Sequence, residues 1–377
     1  MRDDHVERFA RVLTAYSLDL RPGDLVVISG SVLAAPLLEA VYRQVLTHDA
    51  VPALDVQLPG TLETLLTQGS DAQLQAITPF ERIGPEQADA HLRIAASENT
   101  RALTGIDPAR HQRYTRARAA IHQRFLDRAA SGALRWTLTL YPTAAFAQEA
   151  EMSLRDYEAF VVRAARLDDP DPVARWQELA AFQAALIDWL RPRSTVRILA
   201  EDTDLTLRVD GRTWVNSDGR HNFPSGEVFT GPIEDSVNGD IRFSFPSIVQ
   251  GQEVDDVRLR FEDGRVVRAT AGKNQALLDA MLATDDGARF IGEFAFGTNP
   301  TITRFTRNTL FDEKIGGTVH LALGSGYPET GSRNRSAIHW DLIRDTRGGG
   351  EVRVDGEVLL KDGRFANDVI GNWTGKY

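Results

Sequence analysis

The chain has 377 residues, 42% of them hydrophobic and 25% charged, with a formal net charge of −10 and no cysteine. Such a length allows two domains with full cores, while the acidic balance argues against nucleic acid or an anionic membrane as a partner. The missing thiols exclude disulfides, a thiolate nucleophile and sulfur-ligated metals.

The opening MRDDHVERFARVL is acidic and at once amphipathic, unlike a signal peptide. No apolar run reaches the roughly 18 residues of a membrane helix, so a cytoplasmic protein with no membrane partner is expected. After the turn Pro22-Gly23-Asp24, Leu25 to Ile28 reads as a buried strand, Ala34 to Leu46 as a helix and Pro52 to Val56 as the next strand. Leu92 to Ala96 and Trp136 to Leu140 read as further strands, with the helical block His111 to Ala130 between them. This alternation predicts a partly parallel sheet flanked by helices. Ser153-Leu154-Arg155-Asp156 predicts a capped helix to Arg166, and Asp171-Pro172 opens another reaching Leu190. Pro192 then marks the expected boundary: a three-layer α/β domain over 1–193 and a mainly antiparallel β domain over 194–377.

Beyond the boundary, Asp210-Gly211, Asp218-Gly219, Asn238-Gly239, Asp263-Gly264, Asp355-Gly356 and Asp362-Gly363 punctuate strand-like runs. Asp-Gly and Asn-Gly between such runs are hairpin signals. One helix is predicted here, Asn274 to Leu282.

The residues that could carry chemistry sit in this second half. Glu227 follows the turn-former Pro224-Ser225-Gly226, and Glu293 has Ile291 and Ala295 as expected same-face neighbours. His320 alternates with Val319 and Leu321, so it projects away from the apolar face of its strand. His339 and Asp341 are two apart and project the same way. A lone strand histidine is ordinarily a core or surface residue, and a lone glutamate beside glycine is ordinarily solvated. Together, in one β-rich domain and amid apolar neighbours, these carboxylates need positive charge. A divalent metal meets that need. Ser29-Gly30-Ser31 lacks a GxGxxG or Walker pattern, and no Ser-His-Asp set has a nucleophile elbow. Of the other histidines only His221, close before Glu227, is placed to support the site.

These segments are also where the chain resembles the M29 family of metallo-aminopeptidases, the aminopeptidase T and S type. The likeness lies in NFPSGEVFTGP, GEFAFGTNP, LFDEKIGGTVHLALG and SAIHWD, and in the first half in YSLDLRPGDLVVI and YPTAAFAQEAEMSLRDYEAFV. The first half looks shorter than in typical members. The resemblance implies metal-site roles for Glu227, Glu293, His320, Tyr327, His339 and Asp341, holding two divalent ions (zinc, cobalt, manganese or magnesium). It further implies short peptide substrates and a cytoplasmic homodimer whose β-rich domain holds the metals.

On that footing Glu293 is expected to bridge the ions and Tyr327 to ligate one or to steady an oxyanion, while Lys314 and Arg304 are placed to stabilise charge. Two other readings carry different consequences. His320, His339 and Asp341 could make the facial triad of a mononuclear Fe(II) ring-cleaving dioxygenase, although such a site has no need of Glu227 and Glu293. A non-catalytic peptide-binding protein on the same fold would bind no divalent ion.

Overall fold

The computed structural model describes residues 1–249 and 251–366, which group into two compact units. The first comprises Met1–Val173 with Gly219–Pro224, and the second Ala174–Asp218 with the chain from Ser225 onward. The helix Pro172–Leu190 therefore counts almost wholly with the second unit.

In the first unit, β1 (Leu25–Ser31), β2 (Val51–Gln57), β3 (Ala90–Ala95) and β4 (Arg135–Leu140) form a parallel sheet in the order β2-β1-β3-β4. Parallel neighbours need long crossovers, which helices supply. Ala35–Thr47 joins β1 to β2, and Pro108–Ala130 joins β3 to β4. Between β2 and β3 run three short helices, Thr61–Gln68, Asp71–Gln75 and Pro79–Gln87, which the sequence pattern does not announce. Ser70 and Thr78 cap the last two with full capping boxes, and Ser153 caps Leu154–Ala164 as its sequence predicts. Val26, Val27 and Ile28 are buried, as befits an inner parallel strand. At its far end Ser29 Oγ lies 2.9 Å from His91 Nε2, a structural pair rather than part of a phosphate loop.

The second unit is built from antiparallel strands: β5 (Thr195–Ala200), β6 (Thr203–Arg208), β7 (Val215–Ser217), β8 (Glu227–Thr230), β9 (Asn238–Arg242), β10 (Ser247–Val249), β11 (Gln252–Val254), β12 (Arg258–Glu262) and β13 (Arg265–Thr270). These are followed by β14 (Ile291–Gly297), β15 (Thr318–Gly324), β16 (His339–Asp345), β17 (Glu351–Val354), β18 (Glu357–Lys361) and β19 (Arg364–Phe365). They make an eight-stranded sheet ordered β13-β12-β9-β6-β5-β17-β18-β19, a five-stranded sheet ordered β16-β15-β14-β8-β7, and the small hairpin β10-β11. Three Asp-Gly pairs close hairpins as predicted, each with both residues at positive φ: Asp263-Gly264, Asp355-Gly356 and Asp362-Gly363. Asn238-Gly239 instead opens β9. The Asp204 carbonyl of neighbouring β6 passes so near that a Cβ on Gly239 would lie 2.1 Å from it, so close strand approach explains this glycine.

One hydrophobic core unites the two large sheets. Ile198, Leu205 and Phe261 come from the eight-stranded sheet, and Phe294, Phe296, Val319, Leu321 and Leu342 from the five-stranded one. Leu186 and Leu190 of the helix Pro172–Leu190 join it.

Candidate metal centre

Strand register decides which side chains share a face. Gly297 pairs with Glu227 and Ala295 with His320, which puts both on the side of β14 that Glu293 occupies. Ala322 pairs with Asp341 and Gly324 with His339, so these two fall on the same side again. Because side chains alternate, Phe294, Phe296, Val319 and Leu321 point the other way, into the core. Five of the six residues singled out in the sequence thus rise from one face of four adjacent strands. The expected partnership of Glu293 with Ile291 does not hold. A bulge between them shifts the register, and Ile291 pairs with Leu323 and enters the core. One extra residue turns the strand, and the glutamate is aimed independently of its neighbour.

The polar ends converge. His320 Nε2 lies 3.4 Å from Glu293 Oε1 and 3.7 Å from Glu227 Oε2. His339 Nε2 lies 3.2 Å from Glu293 Oε2 and 3.4 Å from Asp341 Oδ1. Two overlapping trios result, Glu227 with Glu293 and His320, and Glu293 with His339 and Asp341. In each trio the potential donor atoms lie within 4.8 Å of one another. Glu293 belongs to both. The other nitrogen of His339, Nδ1, is 2.7 Å from the Ser325 carbonyl oxygen, which fixes the ring and leaves Nε2 for the cluster. Tyr327 stands at the edge with 40% of its surface exposed, its ring 5.2 Å from that of His339 and 5.4 Å from that of Phe229.

Two further charged residues belong here. Lys314 is 1% exposed; its Nζ donates to Glu313 Oε2 and lies 3.4 Å from Glu227 Oε1. The sequence puts Lys314 near the site, but Glu313 is not legible there, because three charged residues in a row are ordinarily solvated. The signal available was the apolar setting of that triplet, between Leu310-Phe311 and Ile315. Arg304 is exposed, and His221 lies with the first unit, its ring stacked 4.8 Å from that of Trp136. Neither joins the cluster.

Electrostatics follow from packing four carboxylates with one lysine and two histidines, Lys314 beside Glu313 and Glu227, and the imidazoles beside Glu293 and Asp341. Burial drives the Glu313 carboxyl well above its usual range, with Lys314 offsetting only part. Burial pulls His320 down, but Glu293 and Glu227 outweigh it and leave the imidazole at about 9. His339 is likewise depressed by burial and then raised, by Asp341 and Glu293, to about 11. Burial also raises Glu293 and Asp341, yet their histidine partners hold both below the ordinary carboxylate range. Partial burial, then Glu293 and Asp341, push the Tyr327 phenol upward, so it stays protonated. The carboxylates thus hold both imidazoles in their cationic form, and a divalent ion would supply that positive charge in place of the protons.

The donor set fits divalent ions. Imidazole and carboxylate suit zinc, cobalt or manganese, and Glu227 Oε2 is buried with no hydrogen-bond partner, aimed toward His320. Its support is built in. Gly226, at φ +125°, has no room for a side chain, since a Cβ would lie 2.6 Å from that of Asn299. Gln183, wholly buried, donates through Nε2 to the Glu227 carbonyl (3.0 Å) and to Thr298 Oγ1 (2.9 Å).

The sequence profile described as thermophilic metalloprotease (M29) matches residues 2–365. Aminopeptidase 2 of Geobacillus stearothermophilus is 28% identical over 98% of both chains. Among solved structures, wild-type AmpT from Thermus thermophilus matches with a TM-score of 0.83 at 23% identity, covering 96% of this chain and 99% of its own. A 2,5-dihydroxypyridine dioxygenase from Pseudomonas putida matches with a TM-score of 0.61 at 14% identity, covering 97% and 98%. These two likenesses establish a shared fold.

Proposed function

The chain belongs to the M29 metalloprotease family, and we propose that it is a metallo-aminopeptidase that releases N-terminal residues from short peptides at a dinuclear centre. The observation that carries this reading is the sharing of Glu293: its two carboxylate oxygens face two different imidazoles, His320 and His339. A mononuclear site would leave Glu227 and Glu293 without a purpose, which weighs against dioxygenase chemistry.

Glu227 and His320 would hold one divalent ion, His339 and Asp341 the other, with Glu293 common to both. When bound, such ions act as Lewis acids and lower the pKa of a coordinated water toward neutrality. The protein's own part is to orient and to move protons. Glu293, on a rigid inner strand, would tie the two halves of the site together, and Lys314 and Gln183 hold Glu227 in place. Tyr327, partly exposed beside His339, is placed either to ligate an ion or to donate to the oxyanion that forms at the scissile carbonyl. The same reading extends to a cytoplasmic homodimer; among the described residues no helix is long and apolar enough to cross a membrane.

The deciding test is chelation followed by re-addition of single divalent metals, with aminoacyl-nitroanilide hydrolysis and elemental analysis read together. Two ions per chain with restored hydrolysis is the expected result. One iron per chain with oxygen uptake would replace this proposal with the dioxygenase, and a chain that takes up no divalent ion would point to a binding protein.

A further inference from the structure

Resting on the homodimer in the reading above, and independent of its metal chemistry, we infer that two copies of this chain join through the open edge of β2. The two strands run antiparallel about a two-fold axis at Leu54. The parallel sheet of the first unit ends at β2, and among the described residues no strand pairs with the edge that faces away from β1. The strand is nevertheless apolar there. Leu54 is 49% and Val56 44% exposed, and Val51 before them and Leu58 after them lie open too. An uncovered apolar edge of this kind is a template for pairing with another strand.

Backbone direction fixes what this edge offers. Successive residues of a strand turn their N–H and C=O groups to opposite edges. The Val51 amide donates to the Asp24 carbonyl just before β1, at 2.8 Å, so Val51, Ala53, Asp55 and Gln57 face β1. Pro52, Leu54 and Val56 therefore face outward. Proline has no N–H to lose, which suits it to the open side. Antiparallel pairing about Leu54 uses both outward amides. Leu54 exchanges both backbone bonds with the partner's Leu54, and the Val56 amide donates to the carbonyl of the partner's Pro52. No outward donor is left over. The side chains agree with this register. Leu54 meets its own copy and Val56 meets proline, both apolar pairs, while Asp55 stands opposite alanine. Centring the axis on Asp55 would also satisfy the amides, but it sets that carboxylate opposite its copy, which is destabilising.

The test uses the full-length protein, which has no cysteine of its own to compete with an introduced one. On the axis, the two copies of residue 54 have Cα atoms about 5.5 Å apart, within disulfide reach, whereas the copies of residue 55 lie diagonally at about 7–8 Å. Leu54→Cys should form a disulfide-linked dimer under mild oxidation at least about tenfold faster than Asp55→Cys. Sedimentation of the wild type should show a dimer. Leu54→Lys, which sets like charges on the axis, should weaken it at least about tenfold. Val56→Pro removes an outward amide while keeping every bond to β1; it should weaken the dimer by about the same factor, and it carries the test should Leu54→Lys fail to fold. Wild-type dimer affinity in both variants, or faster cross-linking through Asp55→Cys, would overturn this edge and leave the homodimer standing. A wild type monomeric at high micromolar concentration would overturn both, and protection of its Leu54 and Val56 amides from hydrogen exchange by an added peptide would give the edge to a peptide strand instead.

Discussion

Lys314 Nζ lies 3.4 Å from Glu227 Oε1, with both side chains almost wholly withdrawn from water. The lysine occupies one oxygen of the glutamate, and the other, Oε2, is left buried and unpartnered toward His320. A fixed internal cation thereby orients an acid that would otherwise be costly to bury.

Replacing Lys314 with Met strands Glu227 and Glu313 without that cation. Stability of the chelated protein should fall by about 3–5 kcal/mol, the range for breaking a buried ion pair. Urea unfolding with and without added divalent ion measures it, and the ion should restore part of the loss by returning positive charge. An unchanged midpoint in chelator would contradict the role assigned to Lys314.

Glu293→Gln keeps the shape of the side chain and removes its charge from both trios. Altered outer partners of metal ligands already cost about 10–100-fold, so kcat should drop at least about 100-fold here. Elemental analysis should show fewer than two ions per chain. His320→Ala should behave similarly, with a native circular dichroism spectrum in both variants. Near-normal turnover by either refutes the ligand assignment.

Stability of the chelated protein should depend on pH in a definite direction. His320 and His339 rise from 6.5 to about 9 and about 11 on folding. A histidine with a raised folded pKa contributes stability that is complete below its unfolded value and lost as pH climbs through the folded one. Denaturation midpoints in chelator should therefore decline from about pH 6.5 to 9 and beyond. With ions bound the imidazoles are deprotonated in any case, and the decline should flatten. At the acid end Asp341, held low by His339, contributes above its unfolded value of 3.8, and that contribution is lost as pH falls below it. A midpoint that rises across the alkaline range would mean the histidines are not paired as described.

Gly226→Ala would force a side chain against Asn299 at a φ that favours glycine. Backbone strain of this kind costs about 1–3 kcal/mol, and the adjacent Glu227 would swing with it. Thermal melting should show the destabilisation, and metal titration a weaker affinity. Affinity equal to wild type would show that Gly226 serves only the turn.

Much of this architecture is legible in the residues themselves. The strand and helix alternation of the first unit, and hairpin turns such as Asp355-Gly356, follow from local preference and period, and the structure keeps them. His339 and Asp341 could be placed on one side of a strand because two-residue spacing has that single consequence. The same-face neighbour of Glu293 is not legible, because a bulge depends on the partner strand, which local pattern does not contain. Glu313 escaped for a related reason. A carboxyl is buried only where distant segments supply a lysine, and a run of three charged residues gives no hint of which way the chain will fold it.

Every candidate donor but Tyr327 hangs from one side of a single pleated surface whose opposite side is packed with phenylalanine, leucine and valine. A slip of one residue in strand pairing would exchange the two sides, hiding imidazoles among the rings and turning aromatics out to solvent. No partly correct arrangement of β15 or β16 could keep the pocket in working order. Recovered turnover after refolding is therefore a gauge of correct strand alignment in this half of the molecule, sharper than any measure of helix or sheet content.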